Sequence, residues 1–200
     1  SKLSLTLNML NLRQNQSLEI INHYIKSKVK EDEKVKPFED LGNDIAIIRG
    51  GYFSNTDLPH GDAEEQGFAK SLKSKKAIIF DMRKYPNGGL FYYFIPMALG
   101  KTSFEFAKYY KANMANPGTF VRQDGGELYL SKDLKHNDSS YQGNIIILTN
   151  ENTQSRGEWY SMMLRQWNEN TTVIGSQTAG TDGDLKELNL PGGYQFIFTG

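Results

Sequence analysis

The sequence predicts an α/β domain built on a largely parallel sheet. Three observations lead there. Short apolar runs rich in β-branched residues recur at 44–48, 76–81, 144–148 and 171–175. Segments with helical spacing stand between or after them, at 62–73, at 90–99 and from Ser155 onward. Turn residues separate the two kinds. A repeating strand, helix, strand order with right-handed crossovers produces parallel strands covered by helices.

The elements are read in chain order. Leu3, Leu5 and Leu7 alternate with Ser4, Thr6 and Asn8, the pattern of a half-buried strand. Residues 17–25 fit either state: Leu18, Ile21 and Ile25 suit a helix, while Ile20, Ile21 and Tyr24 suit a strand. The Lys-rich stretch 26–36 is interleaved with Glu31, Asp32 and Glu33 and reads as a solvated linker. Residues 1–36 are therefore expected to be the end of a small β-rich module plus a linker, and 37–200 the main domain. The start without Met and the stop inside a strand pattern point to a fragment, cut short at its C-terminus.

Within the main domain, 44–48 is expected as a strand ending at Gly50-Gly51, and 57–61 as a turn. In 62–73, Ala63, Phe68, Ala69 and Leu72 share one side of a helix. The run 76–81 is that of a strand buried on both faces. Gly88-Gly89 closes the next turn, and 90–99 is a buried helix broken near Pro96. Residues 104–111 form a strand or extended arm, Asn116-Pro117-Gly118 a turn, 128–130 a short strand and 132–140 a polar loop. After 171–175, the segments 185–190 and 194–199 flank Pro191-Gly192-Gly193 as a hairpin.

Composition narrows the function. The 200 residues hold 23 Lys and Arg against 23 Asp and Glu, so no overall basic field exists to bind nucleic acid or an anionic membrane. With no cysteine, thiolate catalysis, disulfides and zinc–thiolate sites are excluded. His23, His60 and His136 are never at metal spacing. No apolar run approaches membrane-spanning length, no signal peptide opens the chain, and no cofactor is expected.

The chemistry concentrates at two strand ends. Ser155 follows the apolar run 145–148 and precedes the segment 159–167, so it stands where a strand turns into a helix. The free N–H groups and positive dipole end of that helix suit a hydroxyl whose reaction creates negative charge. The same residues, Ser155-Arg156-Gly157-Glu158, also fit a capping box, in which the serine only closes the helix start. At the other strand end stands Gly88-Gly89, where glycine lets a backbone N–H approach a ligand closely and take positive φ. Gly88 or Gly89 and the N–H of Arg156 are candidate donors for an oxyanion hole. On these residues alone, an ordinary tight turn is the plainer explanation of the glycine pair.

Taken together these segments resemble a known family. Ile78-Ile79-Phe80-Asp81-Met82-Arg83 with Pro86-Asn87-Gly88-Gly89 resembles the Leu-Asp-Leu-Arg-x-Asn-Pro-Gly-Gly signature of tail-specific (C-terminal processing) serine proteases. Ile147-Leu148-Thr149-Asn150 with Thr153-Gln154-Ser155-Arg156-Gly157-Glu158 resembles their Val-Leu-x-Asn…Ser-Ala-Ser-Ala-Ser-Glu segment. Val173 to Gly180 resembles Val-Gly-Glu-x-Thr-x-Gly, and Leu190 to Gly193 is similar to a Leu-Pro-Gly-Gly run of Bacteroidetes-type members. Order and spacing match over roughly 38–200.

The resemblance implies a crotonase/ClpP-like core preceded by a PDZ-like remnant. It implies Ser155 as nucleophile, Gly88, Gly89 and Arg156 around the oxyanion, a polypeptide substrate, and a place in the cell envelope or outside the cell. One departure matters. The lysine that serves as general base in the Ser–Lys members would stand at Thr181, and its supporting glutamine at Leu185. The base is therefore expected outside this chain, as in the tricorn-core branch, whose histidine comes from an earlier part of the chain. The alternative is a non-catalytic peptide- or ligand-binding member, as in the retinoid-binding relatives.

Other residues have plainer expectations. His60, His136, Lys101, Lys186, Asp182 and Asp184 are read as loop or surface groups and not as the base. Trp159, Met162, Met163 and Trp167 fall at core spacing. Phe91, Tyr92, Phe94 and Met97 are expected in the core, with the lining of a substrate pocket near Gly89 as the alternative. The pair Tyr109-Tyr110 beside Lys108 and Lys111 could stack on nucleic acid, which the balanced charge argues against.

Overall fold

The structure, a computed structural model, describes residues 35–100, 105–113, 115–124, 140–183 and 185–199. The chain divides into two compact units, 1–35 and 36–200. All but one of the described residues belong to the second. The expected strand at 3–8, the ambiguous stretch 17–25, most of the linker, the short strand at 128–130 and nearly all of the loop 132–140 lie outside them.

A five-stranded sheet organises this unit, in the order β1 (Phe38–Gly42), β2 (Ile45–Arg49), β3 (Ala77–Asp81), β6 (Asn144–Thr149) and β7 (Thr171–Gly175). The last four are mutually parallel, and β1 runs antiparallel along the β2 edge. Three helices accompany them: α1 (Asp62–Lys73), α2 (Ile95–Leu99) and α3 (Arg156–Arg165). The mixed α/β architecture with its mostly parallel sheet is the one the sequence predicts. Two further hairpins are present, β4 (Lys108–Ala112) with β5 (Phe120–Asp124), and β8 (Leu185–Leu190) with β9 (Tyr194–Thr199). The second follows the sequence pattern, with Gly192 and Gly193 both at positive φ in its turn. For the first, only the arm and the turn were legible, and β5 was not.

The strand order never doubles back. Right-handed crossovers that always advance in one direction put every helix on the same face. The core has that form. Ile48, Phe80 and Ile147 lie in register, as do Ile78 and Ile145 in the row before, and all five are fully buried. Against them pack Leu72 of α1, Leu99 of α2, and Met163 and Leu164 of α3. Ile79 and Ile146, which alternate to the opposite face, are only half-buried. The expectation of a β3 strand buried on both faces is corrected accordingly. At the edge, Val173 and Ile174 of β7 are exposed at 44% and 54%, although they belong to one of the recurring apolar runs.

The segment 90–99 is not broken at Pro96. One π-helical turn, Leu90–Phe94, runs directly into α2. The Ile95 N–H donates to the Leu90 carbonyl, and Pro96 sits in the first turn of the α segment, where its missing N–H costs least. Leu90, Phe91 and Ile95 are fully buried, and Tyr92, expected in the core, is half exposed. Phe91 stacks on Tyr160 of α3 at 4.7 Å between ring centroids, which holds this segment to the helix that follows Ser155. Met162, also expected in the core, lies on the exposed side of α3.

Candidate active site

Parallel register brings the carboxyl ends of three strands together. Asp81 pairs with Leu148, and Thr149 with Gly175. The loops 82–89, 150–155 and 176–181 therefore leave the sheet side by side, where ligands of parallel sheets bind. Thr153, almost fully buried, fastens all three. Its hydroxyl donates to the Met82 carbonyl at 3.0 Å and accepts from the Asn150 N–H at 3.0 Å. Its carbonyl accepts from the Ala179 N–H at 2.9 Å.

The corner that carries Ser155 is a tight turn. The Gly157 N–H donates to the Gln154 carbonyl at 2.8 Å, and Ser155 has φ 48° and ψ −117°. Those are the angles of the first central residue of a type II′ turn, a position dominated by glycine. A serine there is strained by about 1–3 kcal/mol. A residue that only caps a helix has extended backbone and carries no such strain. The capping box is also present, with the Ser155 side chain facing the Glu158 N–H and the Ser155 N–H bound to Glu158 Oε2 at 3.0 Å. The Glu158 N–H also donates to the Ser155 carbonyl at 2.8 Å, so that donor does not depend on the hydroxyl.

Glu158 does more than cap. It is 8% exposed, and its carboxylate accepts from Thr178 Oγ1 at 2.6 Å, the Gly180 N–H at 2.6 Å and the Thr181 N–H at 2.9 Å, besides Ser155. Burial pushes its carboxyl up, but hydrogen bonds from Thr178, Thr181, Gly180 and Ser155 outweigh that and hold it below the usual carboxylate range. A charged carboxylate thus pins the 176–181 loop to the start of α3. The sequence reading missed this hub, along with Thr153 and Thr178. The signal available was Thr178-x-Gly180 inside a segment already quoted for its resemblance.

The glycine pair stands against the same helix start. A Cβ on Gly88 would come within 2.7 Å of Arg156 Nη1, so the guanidinium occupies the space that a side chain would take. The Tyr160 hydroxyl, pushed up by burial and so protonated, donates to the Gly88 carbonyl at 3.4 Å. Neither Gly88 nor Gly89 has positive φ, and Gly89 is right-handed helical. The space beside Gly88 is taken by the guanidinium and its φ is not positive, which corrects the sequence expectation of a dihedral requirement.

The loop that bears the pair is held at its base and at its tip. Arg83 Nε and Nη2 donate to the two oxygens of Asp81 at 2.9 and 2.7 Å. Burial pushes that carboxyl up, and the Arg83 bonds bring it below its ordinary value. Asn87 Nδ2 donates to Asn55 Oδ1 at 3.1 Å, and its own oxygen accepts the Leu90 N–H at 3.2 Å.

Among the candidate bases, His60 is exposed ahead of α1, where its N–H binds Glu64. Lys186 is exposed on β8. Lys101, His136 and Asp184 lie outside the described residues. Asp182 has a distinct environment. It lines a groove of about 630 Å³ with Glu158, Thr178, Gly180 and Met162, and Ser155 does not line that groove. Burial against the groove wall, then the charge of Glu158, push its carboxyl up to about 6, although the side chain still meets solvent. Among the described residues, no helix is long and apolar enough to cross a membrane.

Comparison with known proteins places this arrangement. No curated protein matches the sequence significantly. A candidate peptidase from Parabacteroides merdae superimposes with a TM-score of 0.60 at 19% identity, covering 86% of this chain and 54% of its own. A lipoprotein from Streptococcus agalactiae has a TM-score of 0.47 at 19% identity, covering 81% and 56%. The photosystem II D1 C-terminal processing protease has a TM-score of 0.44 at 16% identity, covering 84% and 44%. This chain thus spans about half the length of the structures it matches. The model of peptidase family S41 matches residues 44–199, the stretch that contains all three converging loops, and the chain belongs to that family of tail-specific serine peptidases.

Proposed function

We propose that this chain is the core of a serine endopeptidase of the tail-specific type. Ser155 Oγ attacks the scissile carbonyl. The N–H groups of Gly88 (or Gly89) and Arg156 receive the oxyanion. The hydroxyl proton passes through a general base to the leaving amine, and water then hydrolyses the acyl-enzyme. Thr181 stands where the Ser–Lys members carry their lysine, so the base is assigned to a residue outside these 200. The substrate is a polypeptide, and the cell envelope or the outside of the cell is the proposed compartment. Recovery of the full-length protein in the cytoplasm would count against that location.

The strained backbone of Ser155, next to Arg156 whose guanidinium lies over Gly88, is the observation that most supports this reading. A fluorophosphonate probe on the full-length protein tests it. Labelling at Ser155, with peptide hydrolysis abolished in Ser155→Ala, is the expected result. Undiminished turnover in that variant would exclude Ser155 as nucleophile. A second reading, binding without catalysis, is favoured by Thr181, whose N–H rather than a basic side chain meets Glu158. Wild-type protein that binds peptide but never labels would support it.

A further inference from the structure

We propose that the Arg156 guanidinium is the receptor for a substrate carboxylate at the residue flanking the scissile bond. The proposal rests on Ser155 as the nucleophile and extends that reading to substrate choice. Arg156 is exposed, and it forms no ion pair with a carboxylate among the described residues. Arg49 and Arg83, by contrast, are paired with Glu39 and Asp81.

Its position is unfavourable for folding. Arg156 is the first residue of α3, where the positive end of the helix dipole disfavours a cation. The Glu158 carboxylate does not compensate, since it is engaged by Ser155, Thr178, Gly180 and Thr181. The surroundings nevertheless hold the side chain in place. Its Nη1 lies over Gly88, where a Cβ would come within 2.7 Å, and its Cζ stands 5.9 Å from the Tyr85 ring centre. Tyr85 is about half exposed beside it. A planar guanidinium with one aromatic ring beside it and no acid paired to it matches a carboxylate through two parallel hydrogen bonds.

The location defines the substrate position. The group rests on Gly88, one of the proposed oxyanion donors, and an extended peptide advances only about 3.3 Å per residue. The carboxylate therefore belongs to the residue next to the cleaved bond. Two sources share that chemistry, an Asp or Glu side chain and the free α-carboxylate of a chain end.

The test measures binding apart from turnover. Fluorescent peptides are titrated into the full-length protein carrying Ser155→Ala. They come in matched pairs, free acid against amide at the C-terminus, and Asp against Asn at the flanking position. One acidic form is expected to bind about tenfold more tightly than its neutral partner. Preference for the free acid identifies the chain end, and preference for Asp identifies the side chain. Added Arg156→Gln should abolish the preference, Arg156→Lys should keep part of it, and Arg156→Glu should turn it toward Lys-bearing peptides. Equal binding within both pairs, or a preference that survives Arg156→Gln, would overturn the proposal. Probe labelling of the wild type is read separately. Labelling without any preference removes only the role of Arg156. A preference without labelling keeps the carboxylate site and removes the nucleophile.

Discussion

A single oxygen of Glu158, Oε2, accepts the backbone N–H of both Ser155 and Thr181, at 3.0 and 2.9 Å. Two segments more than twenty residues apart are thereby held around one buried negative charge.

Glu158→Gln should damage that junction. The amide supplies donors where the native oxygens only accept, so at least one of the four bonds is replaced by a clash. A loss of about 3 kcal/mol at neutral pH is expected from urea melts. The folded carboxyl titrates below its ordinary 4.5, so its contribution is fully present above that pH. It is lost as pH falls through the lower folded value. The gap between wild type and variant should narrow over that acid range, and a gap that stays constant would remove the charge from the explanation.

Ser155→Gly and Ser155→Ala should differ in stability while both lack the nucleophile. Glycine accepts φ 48° and ψ −117° without strain, and alanine does not. Glycine also serves at a helix N-cap better than alanine. The Gly variant is expected to be more stable by about 1–2 kcal/mol. Equal melting of the two would mean that the turn is not strained as described.

Two glycine substitutions separate space from backbone demand. Gly88→Ala meets only the flexible end of Arg156, so stability should change by less than about 1 kcal/mol, while the carboxylate preference shifts as the guanidinium is displaced. Gly175→Ala would place a Cβ 1.9 Å from the Thr149 carbonyl oxygen at φ 137°. A loss above about 3 kcal/mol is expected there. Urea denaturation of both variants decides the comparison.

Asp182→Asn should stabilise the protein in a pH-dependent way. The folded carboxyl titrates at about 6, against 3.8 when unfolded. Between those values the folded state keeps a proton that the unfolded state has released, so stability falls as pH rises through the window. Asparagine removes the resulting penalty. The variant should melt above the wild type at neutral pH, with the difference closing as pH is lowered to 3.8. An advantage that persists in acid would point to another cause.

Much of the fold was legible because its signals are local. Helix α1 occupies the expected 62–73, and the β8–β9 hairpin surrounds the expected Pro-Gly-Gly turn. The misreadings share one origin, since apolar content does not say which side of a sheet, or which strand, faces the solvent. Val173 and Ile174 look like core residues until β7 proves to be an edge. Pro96 looks like a break until the preceding π turn is seen to precede it without interruption.

The sequence by itself determined the order of the parallel strands and helices, the Ser155 corner, the glycine pair and the missing lysine at Thr181. These depend on residue type and short spacing, which the chain carries wherever it folds. Only the tertiary structure decided that Gly88 lies under the Arg156 guanidinium, that Thr153 ties three loops together, and that Glu158 holds Thr181 beside Ser155. Those relations follow from parallel register, which sets distant strand ends next to one another, and no local pattern encodes that alignment.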